Sequence, residues 1–300
     1  MTLNETCTEC TRLHQRRLVP PDTPDELREA YFAEIDHILA TAPKDVSSPC
    51  LIPVFAEAFN RYFSIPDLYA DIKREANERA LLMLPRLQKT VQLSETPLST
   101  ALAVSRLGNF LDFAILTPEE ADSKLDEALN STQDFAIDPA ELKPFAKDLE
   151  SAKSLLIIGD NAGEIVFDIV LVQTLQRLYP DLHITYGVRG GNAQNDATRE
   201  DAAFVGMDEV TTVIDSGSSI PGTDIRYCSE DFRKAIRESD VILAKGMGNF
   251  ETLSGGDVSA YYLFICKCQR LADLLRKPLY TGVLYKDYHS ELYLPHKGIK

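Results

Sequence analysis

Leu155-Leu156-Ile157-Ile158-Gly159-Asp160-Asn161-Ala162-Gly163-Glu164 decides how the rest of the chain is read. An apolar run stops at Gly-Asp-Asn, and apolar residues at helical spacing follow over 165–178. This is the pattern of a buried parallel strand turning into a covering helix. The turn leaves a carboxylate and an amide at the carboxyl end of the strand, the edge where open α/β sheets bind ligands. Side-chain oxygens at that edge suit a hard cation such as Mg²⁺ better than zinc or copper. Helix capping competes with this reading, since Asn161 as N-cap with Glu164 three residues on would form a capping box. Capping leaves Asp160 unexplained. It also leaves Gly163, which costs helix stability in a first turn but lets a ligand approach the backbone.

Working outward, strands are predicted at 155–158, 183–188, 210–214, 241–244 and 261–265. Helices are predicted at 165–178, 200–205, 231–237 and 270–276. Alternation of this kind implies a parallel sheet covered by helices, hence an α/β fold. Residues 1 to about 150 instead carry helical periodicity, at 25–40, 53–63, 68–91, 99–116, 118–129 and 139–152. Pro85 is expected to kink or divide the third of these. The division expected is an α-helical domain over 1–150 and an α/β/α metal- and phosphate-binding domain over 151–300. The polar, aromatic tail after Tyr280 is expected to wrap the surface.

Composition narrows the function. The chain has 300 residues, 44% of them hydrophobic, enough for one large domain or two smaller ones. A net charge of −15 argues against nonspecific binding to nucleic acid or anionic membranes. Phosphate binding then requires a local concentration of positive charge, or a metal. No apolar run reaches the length of a membrane span, and Met1–Arg17 lacks a signal core, so a cytoplasmic location is expected. Cys7-x-x-Cys10 and Cys266-x-Cys268 fall short of a two-unit zinc pattern. They read as reduced structural thiols or as a soft-metal or redox pair.

Two further strand ends repeat the theme. After 183–188 comes Arg189-Gly190-Gly191-Asn192-Ala193-Gln194-Asn195-Asp196, a second amide–carboxylate pair ahead of a helix. Neighbouring parallel strands would bring Asp160, Asn161 and Asp196 together. After 241–244 comes Lys245-Gly246-Met247-Gly248-Asn249-Phe250-Glu251, read as a glycine-containing loop. Lys245 is either a surface residue or a cation that neutralises a phosphate, and the glycines would let N–H groups approach phosphate oxygens. The order is not that of a P-loop, nor is Gly246-x-Gly248 a full dinucleotide fingerprint.

Gly159–Asp168, Asn195–Ala202 and Ala244–Glu251 together resemble the signature motifs of the metal-dependent damage-control phosphatase family, formerly a domain of unknown function. Gly108-Asn109-Phe110-Leu111-Asp112 resembles its helical-domain motif, and Cys7-x-x-Cys10 with Lys267-Cys268 its prokaryotic branch. The resemblance covers nearly the whole chain; the loop after Arg189 lacks the family's proline. It implies an α-helical domain on a three-layer, Rossmann-like α/β/α sandwich with a mainly parallel sheet. It implies a divalent cation (Mg²⁺, Mn²⁺, Co²⁺ or Ni²⁺) on Asp160, Asn161 and Asp196, Lys245 on the phosphate side, and hydrolysis of sugar phosphates and other phosphometabolites. Asn109, Gly163, Gly246 and Asn249 are then candidate substrate contacts. Glu251 is a candidate general base, and Asp160 is either a metal ligand or the nucleophile. The partner expected is a small phosphorylated metabolite, with no nucleic acid and no membrane. A methyltransferase using S-adenosylmethionine, or a non-enzymatic phosphometabolite or metal sensor, are the alternatives.

Overall fold

In the computed structural model, which describes residues 1–65, 67–110 and 136–287, six strands form one sheet. They are β1 (Ser154–Ile158), β2 (His183–Val188), β3 (Thr212–Asp215), β4 (Val241–Lys245), β5 (Tyr261–Ile265) and β6 (Gly282–Lys286). Their order is β3-β2-β1-β4-β5-β6, with β6 antiparallel to β5 and every other pair parallel. The chain winds outward from β1 in one direction and, from β4, in the other. The switch point therefore lies between the carboxyl ends of β1 and β4, where the connections diverge and open a crevice.

The pleat sorts the core into two faces. Leu155 and Ile157 of β1, Val241 and Leu243 of β4, and Tyr261 and Leu263 of β5 enter one hydrophobic cluster. Leu156 and Ile158, Ile242 and Ala244, and Tyr262 and Phe264 enter another. Such period-two sorting is dictated by alternating Cβ directions.

The described helices are α1 (Glu5–Leu18), α2 (Asp25–Thr41), α3 (Ile52–Phe63), α4 (Ala70–Gln92), α5 (Pro97–Phe110), α6 (Pro139–Ser151), α7 (Glu164–Leu178), α8 (Arg199–Val205), α9 (Met207–Val210), α10 (Glu230–Glu238), α11 (Gly246–Leu253) and α12 (Gln269–Leu275). Helix α7 is apolar nearly all round and is buried from Glu164 to Val172, as a helix must be when both of its sides are covered. One side meets the sheet, and α4 and α5 lie on the other. As a result Ala80, Leu87 and Leu107 share one cluster with Leu155 and Ile165. Tyr31, Ile35, Phe55 and Phe59 of α2 and α3 form a smaller core of their own.

Three local expectations are revised. Pro85 neither divides nor ends α4, which runs unbroken through it. The proline is exposed, so water can replace the hydrogen bond that the ring removes. Residues 246–253 form a helix, α11, where two glycines had suggested a loop. Part of the tail, Gly282–Lys286, is the edge strand β6, paired along its length with β5. The predicted segments 111–116 and 118–129, and the tail beyond 287, lie outside the described residues. No helix among the described residues is long and apolar enough to cross a membrane.

Candidate active site

The turn after β1 and the loop after β2 are zipped together by backbone. Ala162 N–H donates to the Asn195 carbonyl (2.8 Å) and Ala197 N–H to the Asp160 carbonyl (2.7 Å), and Asn161 faces Asp196 across an isolated antiparallel bridge. This pairing brings Asp160, Asn161 and Asp196 to one point. Asp160 Oδ2 accepts from the side-chain amides of Asn109 (2.9 Å) and Asn161 (2.7 Å). Asp196 Oδ2 accepts from Arg189 Nε at 2.6 Å. The other side-chain oxygen of each residue, Asp160 Oδ1, Asn161 Oδ1 and Asp196 Oδ1, meets no donor among the described residues.

A second group lies immediately behind the first. Glu164 and Asp168, one turn apart on α7, converge on Lys245 at the end of β4. The ammonium is 2.7 Å from Glu164 Oε1 and 2.5 Å from Asp168 Oδ1, and all three side chains are fully buried. Asp168 also accepts from the Ser105 hydroxyl (2.5 Å) and the Tyr186 phenol (2.6 Å). The groups are joined by Asn109 and Asn161, whose amides also reach Glu164 Oε2 at 3.0 and 3.2 Å.

Charge follows geometry. Burial drives Asp160 well above the usual carboxylate range, and the neighbouring Asp196 and Glu164 carboxylates push it further, against Arg189 and Lys245. Burial raises Asp196 to about 6 in spite of the Arg189 guanidinium. Burial alone would lower Lys245, but Asp168 and Glu164 outweigh it and hold the ammonium charged. Two carboxylates crowded together while short of protein cations form a place for an added cation. No trio of His, Cys, Asp or Glu among the described residues is disposed around a cation position; the oxygens offered here come from two carboxylates and an amide. That donor set fits a hard divalent ion.

A family model described as the damage-control phosphatase ARMT1-like domain matches residues 3–283. The chain belongs to this family. An uncharacterised protein of Methanocaldococcus jannaschii is 32% identical over 81% of this chain and 83% of its own. Proteins named damage-control phosphatase from Pyrococcus horikoshii and Archaeoglobus fulgidus are 27% and 29% identical, covering 93% and 91% of this chain and 96% and 94% of theirs. A crystal structure of a DUF89 family protein from Pyrococcus horikoshii superposes with a TM-score of 0.83 at 26% identity, over 96% of this chain and 99% of that one.

Within this damage-control phosphatase fold, the residues singled out in the sequence fall in different places. Asn109 comes from the helical part to the Asp160 carboxylate, with its Oδ1 accepting from Ile265 N–H at 3.3 Å. Gly163 caps α7 with φ +78°, but its N–H is taken by Asn77 Oδ1 at 2.7 Å and does not face a ligand. Asn161 is therefore not the N-cap of α7, and the capping device of the second junction is Thr198, whose N–H and hydroxyl both donate to Asp201. Gly246 has φ +77°, and a Cβ there would sit 2.0 Å from Asp160 Oδ2, so glycine is what allows this carboxylate its position. Asn249 is fully buried and braces backbone, donating to the Gly159 and Lys245 carbonyls at 3.1 and 2.6 Å; it is no surface for substrate. Lys245 does not present a free ammonium to a phosphate, because two carboxylates hold it inside the protein. Glu251 lies apart from both acidic groups, its carbonyl accepting from the Met1 amine and its carboxylate in the field of that amine and Arg270.

Several members of the site escaped the sequence reading. Glu164 and Asp168 are four apart in an otherwise apolar helix, a spacing that was available as a signal. Arg189 bonds the Gly159 carbonyl (3.1 Å) and Asn249 (3.2 Å) as well as Asp196. Asn77 and Lys73 of α4 bind Asp201 at 2.9 and 2.6 Å. Nothing in the local sequence of α4 marks either one.

Proposed function

We propose that this chain is a divalent-metal-dependent phosphatase that hydrolyses phosphomonoesters of small metabolites, sugar phosphates among them, in metabolite repair. The observation that carries the proposal is the set of three side-chain oxygens, on Asp160, Asn161 and Asp196, that meet no donor among the described residues at the switch point of the sheet. A phosphatase role agrees with the names of the Pyrococcus and Archaeoglobus relatives.

Asp160, Asn161 and Asp196 would hold the cation. When bound, it would supply Lewis-acid polarisation of a phosphate oxygen and lower the charge cost of attack at phosphorus. The protein's part is orientation. The Asn109 and Asn161 amides fix Asp160 by its Oδ2 and leave Oδ1 to act, as ligand or as nucleophile. Arg189 fixes Asp196 in the same way, and its other nitrogens tie that carboxylate to the strand-end carbonyl of Gly159. Lys245 pairs with Glu164 at 2.7 Å, and Glu164 in turn accepts from both asparagine amides. A chain of hydrogen bonds thus runs from a buried ammonium to the proposed ligands, as supporting groups around metal sites do.

The deciding measurement is phosphate release from a broad panel of sugar phosphates and other phosphomonoesters, with Mg²⁺, Mn²⁺, Co²⁺ or Ni²⁺ and with a chelator. Release with at least one metal, abolished by the chelator, is expected. Absence of release with every metal across the panel overturns the proposal in favour of a binding protein, and heat on titration with S-adenosylmethionine would point to the methyltransferase alternative.

A further inference from the structure

The paired cysteines have no part in the Asp160 and Lys245 groups, yet the fold gathers them. Helix α1 starts at Asn4, whose side chain accepts from Cys7 N–H at 2.9 Å, and Cys7 and Cys10 follow one turn apart on one side of it. Further along, α1 joins the core of α2 and α3. Thr11 meets Ser48 at 2.8 Å, and Gln15 accepts from the Tyr31 phenol at 2.8 Å. Its first turns lie instead against the chain leaving β5. Arg270 Nη1, in α12, donates to the Thr2 carbonyl at 2.9 Å and to the Cys7 sulfur at 3.0 Å. Cys268 immediately precedes α12. Burial pushes the Cys10 thiol up, and Cys268 adds more to that than Cys7 does. Cβ atoms one helical turn apart are about 5–6 Å from each other, so Cys268 stands as near to Cys10 as a residue one turn away.

The other thiols are committed elsewhere. Cys266 is buried in the core of the sheet, its sulfur 3.6 Å from the Cys268 carbonyl. Cys50 is engaged by Ser47 and Asp224, and Cys228 is buried against the Asp224 carbonyl. Cys7 and Cys268 are half-buried and Cys10 is exposed, so small reagents can reach this cluster, and none of the three is in a disulfide. A soft metal needs three or four converging donors, and no trio of His, Cys, Asp or Glu among the described residues converges in that way. A disulfide needs only two sulfurs, with Cβ atoms about 3.5–4.5 Å apart. A small shift of the first turns of α1 supplies that approach.

We propose that Cys10 and Cys268 are a reversible dithiol–disulfide pair, closed by hydrogen peroxide, that clamps α1 and the helical core it carries to the chain leaving β5. The proposal stands apart from the phosphatase reading above. The Cys268 thiolate attacks the peroxide; the O–O bond breaks, a sulfenic acid forms, and the leaving hydroxide takes up the thiol's proton as water. Cys10 holds its proton more tightly and enters second. Its sulfur attacks the sulfenic sulfur, the S–O bond breaks, and hydroxide leaves with the Cys10 proton as a second water. Each sulfur loses one electron and the two peroxide oxygens gain them. The bond closes beside Lys267, whose ammonium donates to the Asn109 carbonyl, so the clamp adjoins the residue that orients Asp160.

The test treats the whole reduced chain with stoichiometric hydrogen peroxide, blocks it with iodoacetamide and maps its peptides without reductant, beside Cys7→Ser, Cys10→Ser and Cys268→Ser. Wild type should lose two thiols, weigh two hydrogens less and yield a cross-linked peptide pair joining Cys10 to Cys268. Dithiothreitol should restore both thiols. A tie that closes so long a loop should raise the thermal midpoint of the oxidised protein by about 5 °C or more. C7S should cross-link as wild type does, and C268S should not cross-link. C10S should hold a sulfenic acid on Cys268 that dimedone traps, a product that a merely structural cysteine does not give. A Cys7–Cys10 bond, cross-linking that fails in C7S, or thiols that survive excess peroxide each overturn the proposal. Zinc retained by the untreated chain and released when these thiols are blocked overturns it in favour of a metal site.

Discussion

Around Lys245, two carboxylates gather on one ammonium, and a hydroxyl and a phenol donate to one of them, Asp168; around Asp160, a carboxylate and an amide gather with a second carboxylate whose cation, Arg189, is shared with backbone. The groups touch through Asn109 and Asn161, and both are buried at the same sheet edge. The first sets its carboxylates against an internal cation, as buried acids require. Among the described residues, the second keeps an oxygen open on each of three residues, an arrangement that would be a defect in a structural core. On the proposed function, the difference separates a group that supports a site from one that would do the work of a site, although both are acidic and adjacent.

Substitutions can break this contrast, and the largest effect is expected at Asp160. Asp160→Ala should lower kcat/KM by about 10³-fold or more, by removing a proposed holder of the cation that would stabilise transition-state charge. Asp160→Asn should at the same time raise the urea midpoint of the metal-free protein, since it removes a carboxylate that its neighbours hold far above its ordinary range. A fall in that midpoint would show that the Asp160 group is structurally compensated after all.

Lys245→Met should do the reverse and cost about 3–5 kcal/mol of stability in denaturant unfolding, because it strands Glu164 and Asp168 without their cation. If K245M folds with wild-type stability and loses only phosphate affinity, the distinction drawn between the groups collapses. Asn109→Ala, which cuts the bridge between them, should weaken Mn²⁺ binding by about 10- to 100-fold in calorimetry, the usual range for a residue that orients a ligand.

The smallest effect concerns pH. Asp196 has its folded pKa raised to about 6, above the ~3.9 of an unfolded chain. Its contribution therefore favours the folded metal-free protein below about pH 4 and is lost as pH rises through 6. A cation takes the ionised form, so metal affinity should climb from pH 5 to 7 and then level off, with proton release on binding. Calorimetry in buffers of different ionisation enthalpy measures that release, and a pH-independent affinity would remove Asp196 from the ligand set.

Much of this was legible in the chain. The strand at 155–158 and the acid–amide pairs at 160–161 and 195–196 are local patterns, and parallel pairing of β1 and β2 makes them meet. The edge strand at 282–286 was hidden because its residues are half polar and its partner, β5, reads as a fully buried strand. Helix α11 was hidden because Gly246 and Gly248 lower helix propensity; the requirement that outweighs propensity at Gly246 is room for the Asp160 carboxylate. The role of Lys245 was illegible for a different reason. A lysine at a strand end looks alike whether it faces solvent or an acidic helix, and only the packing of α7 decides which. The importance of Asn77 and Arg189 likewise depends on contacts far apart in sequence.

Asn109 reaches the Asp160 carboxylate from α5, more than fifty residues earlier in the chain than β1's turn. During folding, contacts of such separation must wait for closure of the intervening chain. A partly folded molecule can thus display the strand-end oxygens without the amide that aims them. Competence would then arrive only with the docking of α5 on α7, so that a chain halted short of its native state carries the acids of a phosphatase with none of its orientation.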